Sequence, residues 1–193
     1  SVTEGEELIE TGGKITVIDP DANDTFIWTS VSAAAYGVFT FSDTGDWTYV
    51  LNNALADPLA AGDTVKEKLT VTAEDINGGK VTETIEVDVI GTNDGPIVAI
   101  NSNFETIEGA ALSGQLVATD IDGPDGALTF ELAPGGLQPA NGTLTLNDDG
   151  WFDYTPNEGF LGIERFEYVV KDGEDGQSTA RATIAVESDP DNP

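Results

Sequence analysis

The stretch Ile90-Gly91-Thr92-Asn93-Asp94-Gly95-Pro96 decides the fold, because it closes one strand pattern and introduces a second copy of the whole plan. Upstream of it Val81, Ile85, Val87 and Val89 fall on alternate positions, and a side-chain period of two makes that run a half-buried strand. Gly91 and Pro96 end it, the first by freeing the backbone and the second by removing a ladder donor. Between these breakers stand Asn93 and Asp94, oxygen-bearing side chains in a segment too short to fold by itself. Such a segment joins two domains. Counting 97 positions on from each, Glu187-Ser188-Asp189-Pro190-Asp191-Asn192-Pro193 is again acidic, again follows an apolar-alternating strand and again ends in Pro.

The repeat divides the 193 residues into domains 1–94 and 95–193, each of roughly 95 residues and large enough for a modest core. Around the first linker the chain alternates short apolar runs with turns. In domain one, strand patterns cover residues 14–18, 26–29, 36–41, 47–51, 67–73 and 80–89, with Ser42-Asp43-Thr44-Gly45 and Glu74-Asp75-Ile76-Asn77-Gly78-Gly79 as turns. Phe39 and Phe41 share a face of one strand, and Trp47, Tyr49 and Leu51 share a face of the next, as a hairpin lining a core requires. Domain two restates this hairpin in Asn141-Gly142-Thr143-Leu144-Thr145-Leu146 and Trp151-Phe152-Asp153-Tyr154. From Glu164 onward the offset holds at 97, so that Glu164 follows Glu67, Asp172 follows Asp75 and Asp191 follows Asp94. Residues 33–35 are too short for a helix and residues 54–61 are interrupted by Pro58. Some seven short strands per copy, with turn signals about every 8–12 residues and no helical period, predict two tandem antiparallel β-sandwiches of Greek-key type in an all-β chain. End-to-end repetition with one linker predicts beads on a rod.

The formal net charge is −29, from 36 Asp and Glu against 7 Lys and Arg. Nucleic acid is excluded as a partner, since phosphate binding needs cationic side chains, and so is an anionic membrane surface. No apolar run reaches the ~18 residues of a membrane-spanning helix, so no membrane insertion is expected. Cys and His are both absent, which removes disulfides, the usual zinc ligands and every Ser/His or Cys/His nucleophilic arrangement. The chain begins at Ser1, contains no Met and stops in a linker-like stretch, and is therefore expected to be a piece of a longer polypeptide, with targeting signals outside it.

Where the acidic residues stand says what neutralises them. Asp19, Asp21 and Asp24 lie within six residues on a turn, and Asp120, Asp122 and Asp125 repeat that spacing in domain two. Three carboxylates so placed repel one another unless they spread into water or gather on a cation. Calcium takes six to eight oxygens in flexible geometry, and the Gly, Asn and Pro of these loops free the backbone to turn carbonyls inward. Magnesium fits less well, because it demands octahedral geometry and keeps several waters. One such triplet is an ordinary solvated turn. Two at matching positions, each joined by Asp75 or Asp172 from a later loop, point to Ca2+ as the cofactor.

Taken together, Glu-Gly near each start, D-x-D after the second strand, an acidic residue opening the penultimate strand, Asp in the last hairpin loop and N-D-x-P at the end resemble the cadherin-like family. Gly37-Val38-Phe39-Thr40-Phe41, Gly45-Asp46-Trp47-Thr48-Tyr49 and Gly91-Thr92-Asn93-Asp94-Gly95-Pro96 make domain one similar to a VCBS repeat of giant bacterial RTX adhesins. Gly150-Trp151-Phe152-Asp153-Tyr154-Thr155-Pro156-Asn157 and Lys171-Asp172-Gly173-Glu174-Asp175-Gly176 make domain two similar to the cadherin-like tandem repeats found beside them. The resemblance implies calcium shared at the joint. Glu4 and Glu67 would come from the first domain, Asn93 and Asp94 from the linker with carbonyls of Thr92 or Gly95, and Asp120, Asp122 and Asp172 from the second domain, with Asp125 completing a shell. By the same logic Asp19, Asp21, Asp24 and Asp75 form one half-site whose partner domain lies outside the chain, and Glu108, Glu164, Asp189 and Asp191 form another. Cadherins carry an acidic pair before the penultimate strand where this chain has only Glu67 and Glu164, which leaves the number of ions open.

The implied function is a calcium-dependent extender of a large secreted adhesin on a bacterial cell surface, serving cell adhesion and biofilm. Its partners are neighbouring repeats of the same polypeptide, and the chain is expected to be a monomer. With Kd near 0.1–1 mM, ~10 mM calcium stabilises by roughly 1.4–2.7 kcal/mol per independent site. The alternative is a module binding a glycan or a peptide, for which an exposed Trp28 or Trp151 would be the sign. Trp47 alternates with Tyr49 and Leu51 and belongs in the core. Trp151 is out of that phase and is expected to face solvent. An enzyme is not expected: paired carboxylates cleave glycosides only in a cleft that raises one pKa, which repeated exposed loops do not supply.

Overall fold

The computed structural model describes residues 1–6, 10–18, 25–99, 102–123 and 128–190. The chain forms two compact units, Ser1–Asn93 and Asp94–Pro193. In the first, strands β1 (Val2–Thr3), β2 (Glu10–Lys14), β3 (Ile27–Ala33), β4 (Gly37–Phe41) and β5 (Asp46–Leu51) are followed by one helical turn, α1 (Asn53–Ala56), and by the long pair β6 (Thr64–Glu74) and β7 (Lys80–Ile90). They make a four-stranded sheet in the order β1-β7-β6-β3 and a three-stranded sheet β2-β5-β4. All pairings are antiparallel except β1 with β7, where Val2 lies opposite Val89 in parallel register.

The second unit repeats this arrangement with one addition. Its strands are β8 (Ile97–Val98), β9 (Ser102–Ile107), β10 (Leu112–Gln115), β11 (Ala118–Thr119), β12 (Thr129–Leu132), β13 (Gly142–Leu146), β14 (Trp151–Pro156), β15 (Gly162–Lys171) and β16 (Gln177–Glu187). The sheets β12-β15-β16-β9 and β10-β14-β13 match those of the first unit, and β8 and β11 form a third, two-stranded ladder. β9 runs parallel to β16, as β1 does to β7.

Period-two patterning builds each core. Across the β4–β5 ladder Phe39 faces Tyr49 and Phe41 faces Trp47, so all four rings lie on one inward face with Leu51 behind them. Phe39 and Tyr49 have centroids 4.7 Å apart and Phe39 and Trp47 6.3 Å apart, within the range of favourable tilted aromatic contacts. Leu69, Val71, Val87 and Val89 complete this core from the opposite sheet. In the second unit Phe152 and Tyr154 on β14 meet Phe166, Tyr168, Ile184 and Val186. Gly114 is there for close packing, because a Cβ would come within 2.6 Å of the Phe152 ring.

Two local expectations are corrected. The strand expected over residues 14–18 ends at Lys14, and residues 15–18 lie outside any sheet. The strand is instead Glu10–Lys14, because Gly12 and Gly13 let the backbone lie against β5: a Cβ on Gly12 would stand 2.6 Å from the Trp47 carbonyl oxygen. Residues 53–56 form a helical turn although no helix is expected there. Ala54 and Ala56 favour it, Ala56 is fully buried, and Pro58 stops it one turn later.

Candidate metal centres

One acidic group lies within the second unit. Asp120 follows β11, Asp122 stands two residues on in the bend, and Asp172 opens the β15–β16 turn. Asp172 Oδ1 accepts the N–H groups of Glu174 and Gly176 at 2.7 and 3.0 Å, which fixes the carboxylate as the hub of that turn. Asp122 Oδ2 accepts the Asp94 N–H at 3.0 Å, while its Oδ1 is buried and takes no hydrogen bond. Burial raises the Asp120 carboxyl above its ordinary value, as do side-chain contact with Asp122 and the charges of Asp122 and Asp172. An anionic acceptor withdrawn from water and crowded by like charges is an unfavourable arrangement, and a hard divalent cation relieves it. A buried carboxylate oxygen that takes no hydrogen bond, on a side chain that shares the field of two further carboxylates, suits Ca2+ by its chemistry, so Asp120, Asp122 and Asp172 are the candidate donors.

At the linker end of the first unit, the Glu4 N–H donates to Ile90 O at 3.0 Å, and Glu4 Oε2 accepts the Thr92 N–H at 3.1 Å. Glu4 is 3% exposed. A carboxylate oxygen of Asp57 lies within 4.8 Å of one of Glu4. Asp57 was not singled out by sequence reasoning, since it has no counterpart in the repeat; it is delivered here by α1, whose C-terminal flank it forms. The Asn53 side chain, on the same turn, accepts the Gly5 N–H at 3.4 Å. Thr92 and Asn93 are half-buried beside this group.

Glu67 and Glu164 each have a structural role. Glu67 accepts the N–H groups of Ala35 and Tyr36 at 2.8 and 3.3 Å and the Tyr49 hydroxyl at 3.0 Å. Glu164 accepts the N–H groups of Ala140 and Asn141 at 2.9 and 3.1 Å and the Asn141 side-chain amide at 2.5 Å. Both are buried, and each clamps the turn that leads into the central hairpin of its unit. Burial, reinforced by the Glu67 charge and hydrogen bond, pushes the Tyr49 hydroxyl well above its usual range. Burial and the Glu164 charge raise Tyr154.

The remaining candidates are spread along the chain. Asp75 Oδ1 accepts the N–H groups of Asn77 and Gly79 at 2.7 and 2.9 Å, the same turn as at Asp172. Asp19, Asp21, Asp24, Asp125 and Asp191 lie outside the described residues. Glu108 repeats Glu4 in donating its N–H to Glu187 O at 2.8 Å, and Asp189 is half-buried after β16. Of the tryptophans, Trp28 packs between Phe26 and Phe41 at 6.5 and 5.5 Å, whereas Trp151 is 47% exposed and its neighbour Phe152 fills the core.

The profile of the bacterial Ig domain matches residues 1–88 and again residues 93–185. The chain belongs to the bacterial Ig domain family. Each unit is therefore one such domain, and the two matches coincide with the two sandwiches. The calcium-binding lectin RapA2 of Rhizobium johnstonii is 27% identical over 130 residues, which are 65% of this chain and 55% of that protein. These bacterial Ig domains thus span about half the length of that curated relative. Among solved structures, Protocadherin Gamma C5 EC1-3 matches 96% of the chain and 64% of its own length at 17% identity, with a TM-score of 0.55. Human CDH23 EC21-23 matches 92% of the chain and 62% of its own length at 18% identity, with a TM-score of 0.53. At that identity the likeness establishes the β-sandwich fold alone. No helix among the described residues is long and apolar enough to cross a membrane.

Proposed function

We propose that this pair of bacterial Ig domains is a non-catalytic, calcium-dependent extender of a large surface adhesin, of the kind built from VCBS and cadherin-like repeats in RTX adhesins, and that it supports attachment and biofilm. The observation that carries the reading is the Asp120, Asp122 and Asp172 group, whose buried Asp122 oxygen takes no hydrogen bond. The calcium-binding relative named above is consistent with that choice of ion. With its carboxylates neutralised, the linker region would stiffen; with calcium removed, a net charge of −29 would drive the domains apart and free the linker. Small-angle scattering in millimolar calcium and in chelator tests this. A particle that becomes longer and stiffer in calcium supports the extender, and identical curves in the two buffers refute it.

The word lectin in the relative's name, together with the outward-facing Trp151, favours a second reading in which the second domain also holds a sugar. A glycan array probed with the native chain and with Trp151→Ala distinguishes the two, since only the second reading predicts a signal that the variant loses.

A further inference from the structure

The first unit has an open groove where the second has a strand. The groove, about 490 Å³, is lined by residues 15–18, by Trp28 of β3 and by Val81 and Glu83 near the start of β7. Val81 is 51% exposed, a poor use of a large apolar side chain. The equivalent residues of the second unit are identified by shared hydrogen bonds. Ile15 N–H donates to Gly45 O as Leu116 N–H donates to Gly150 O, so Val17 corresponds to Ala118 and Ile18 to Thr119. Val81 and Glu83 correspond to Ser178 and Ala180 by the offset of 97. In the second unit this place is occupied by β8: Val98 pairs with Ala118 and Ile97 with Thr119, Ala99 N–H donates to Val117 O at 3.2 Å, and the Ser178 hydroxyl donates to the Pro96 carbonyl. Val98 packs on the core, and Leu116 is 2% exposed, whereas Ile15 is only half-buried.

We infer that the groove of the first unit is a strand-accepting site, filled by an extended apolar segment entering ahead of β1 as β8 enters ahead of β9. Such a strand would add its backbone to residues 16–18 by β-augmentation and bury alternate side chains between the sheets. The inference stands apart from calcium binding. The pairs Thr3 with Ile90 and Ile107 with Glu187 align Ser1 with Glu105, so residues 93–104 copied directly ahead of Ser1 supply the strand in register. In chelator, amide exchange of Ile18, the counterpart of Thr119 in the hydrogen-bonded pair with Ile97, is expected to slow at least tenfold in the extended chain. The chain has no cysteine, so Ile18→Cys combined with Ile97→Cys in the copied segment is expected to cross-link on mild oxidation, and Ile18→Cys with Val98→Cys is not, because neighbouring strand residues point to opposite faces. Unchanged exchange, or equal cross-linking in both registers, overturns the inference. Should the extended chain fail to fold, a synthetic peptide of residues 95–100 added to the original chain serves instead; it must shift the amide resonances of residues 15–18 and 80–83, and no shift at millimolar peptide overturns the inference. Protection that appears in the original chain only at high protein concentration assigns the groove to a second copy and likewise overturns it.

Discussion

Replacing Glu67 by Ala removes one buried carboxylate that holds three donors. The Tyr49 hydroxyl, at 3.0 Å, belongs to a side chain with no exposure, so it is left without an acceptor and without water. A hydrogen bond to a charged partner contributes about 1.5–3 kcal/mol, and a stranded buried donor costs about as much. The Ala35 and Tyr36 amides, at 2.8 and 3.3 Å, lie nearer the surface and can turn to water, so each adds about 1 kcal/mol at most. The expected loss is about 3–5 kcal/mol, read from urea denaturation of Glu67→Ala against the native chain. The measurement is made in chelator and in millimolar calcium. If Glu67 acts as the turn clamp seen here, the loss is the same in both; a loss below about 1 kcal/mol in chelator, or one that appears only with calcium, refutes this reasoning and makes Glu67 chiefly a ligand.

Three further outcomes are expected. Asp120→Asn raises the melting temperature in chelator at pH 7 and diminishes the gain on adding calcium, because it removes like-charge crowding along with a ligand. The sign of the pH dependence follows: a carboxyl raised in the folded state is most destabilising when fully ionised, above its raised value, and the penalty disappears as pH falls toward the ordinary 3.8; denaturation in chelator is therefore expected to show Asp120→Asn losing its advantage between pH 7 and that value. Phe152→Ala, at 1% exposure, is expected to cost about 3–5 kcal/mol, whereas Trp151→Ala costs less than about 1 kcal/mol, as paired urea curves will show.

What the sequence disclosed and what it hid differ for physical reasons. The aromatic hairpins were legible because period-two alternation is a direct consequence of strand geometry, and the second copy repeated it at Phe152 and Tyr154. Trp151 was legible for the same reason, being one position out of phase. β2 lies N-terminal to the strand expected over residues 14–18 because glycine carries no strand signal of its own, and only the packing of Gly12 and Gly13 against Trp47 shows why glycine belongs there. The turn α1 was hidden by its length, and Asp57 with it, since a single turn carries no periodic signal and its carboxylate meets Glu4 only through tertiary folding. The clamping role of Glu67 and Glu164 was equally hidden, because an acidic residue among apolar ones looks alike whether it holds a metal or a backbone turn. Asp120, Asp122 and Asp172 were legible from spacing repeated between copies, although the burial of the Asp122 oxygen was not.

Isothermal titration of calcium into the metal-free chain tests the central claim most directly, with Asp122→Asn and magnesium as controls. Saturable binding with Kd of about 0.1–1 mM, weakened at least tenfold in the variant and poorly reproduced by magnesium, is the predicted result. Heats that do not saturate, or that are the same for the native chain and Asp122→Asn, contradict it.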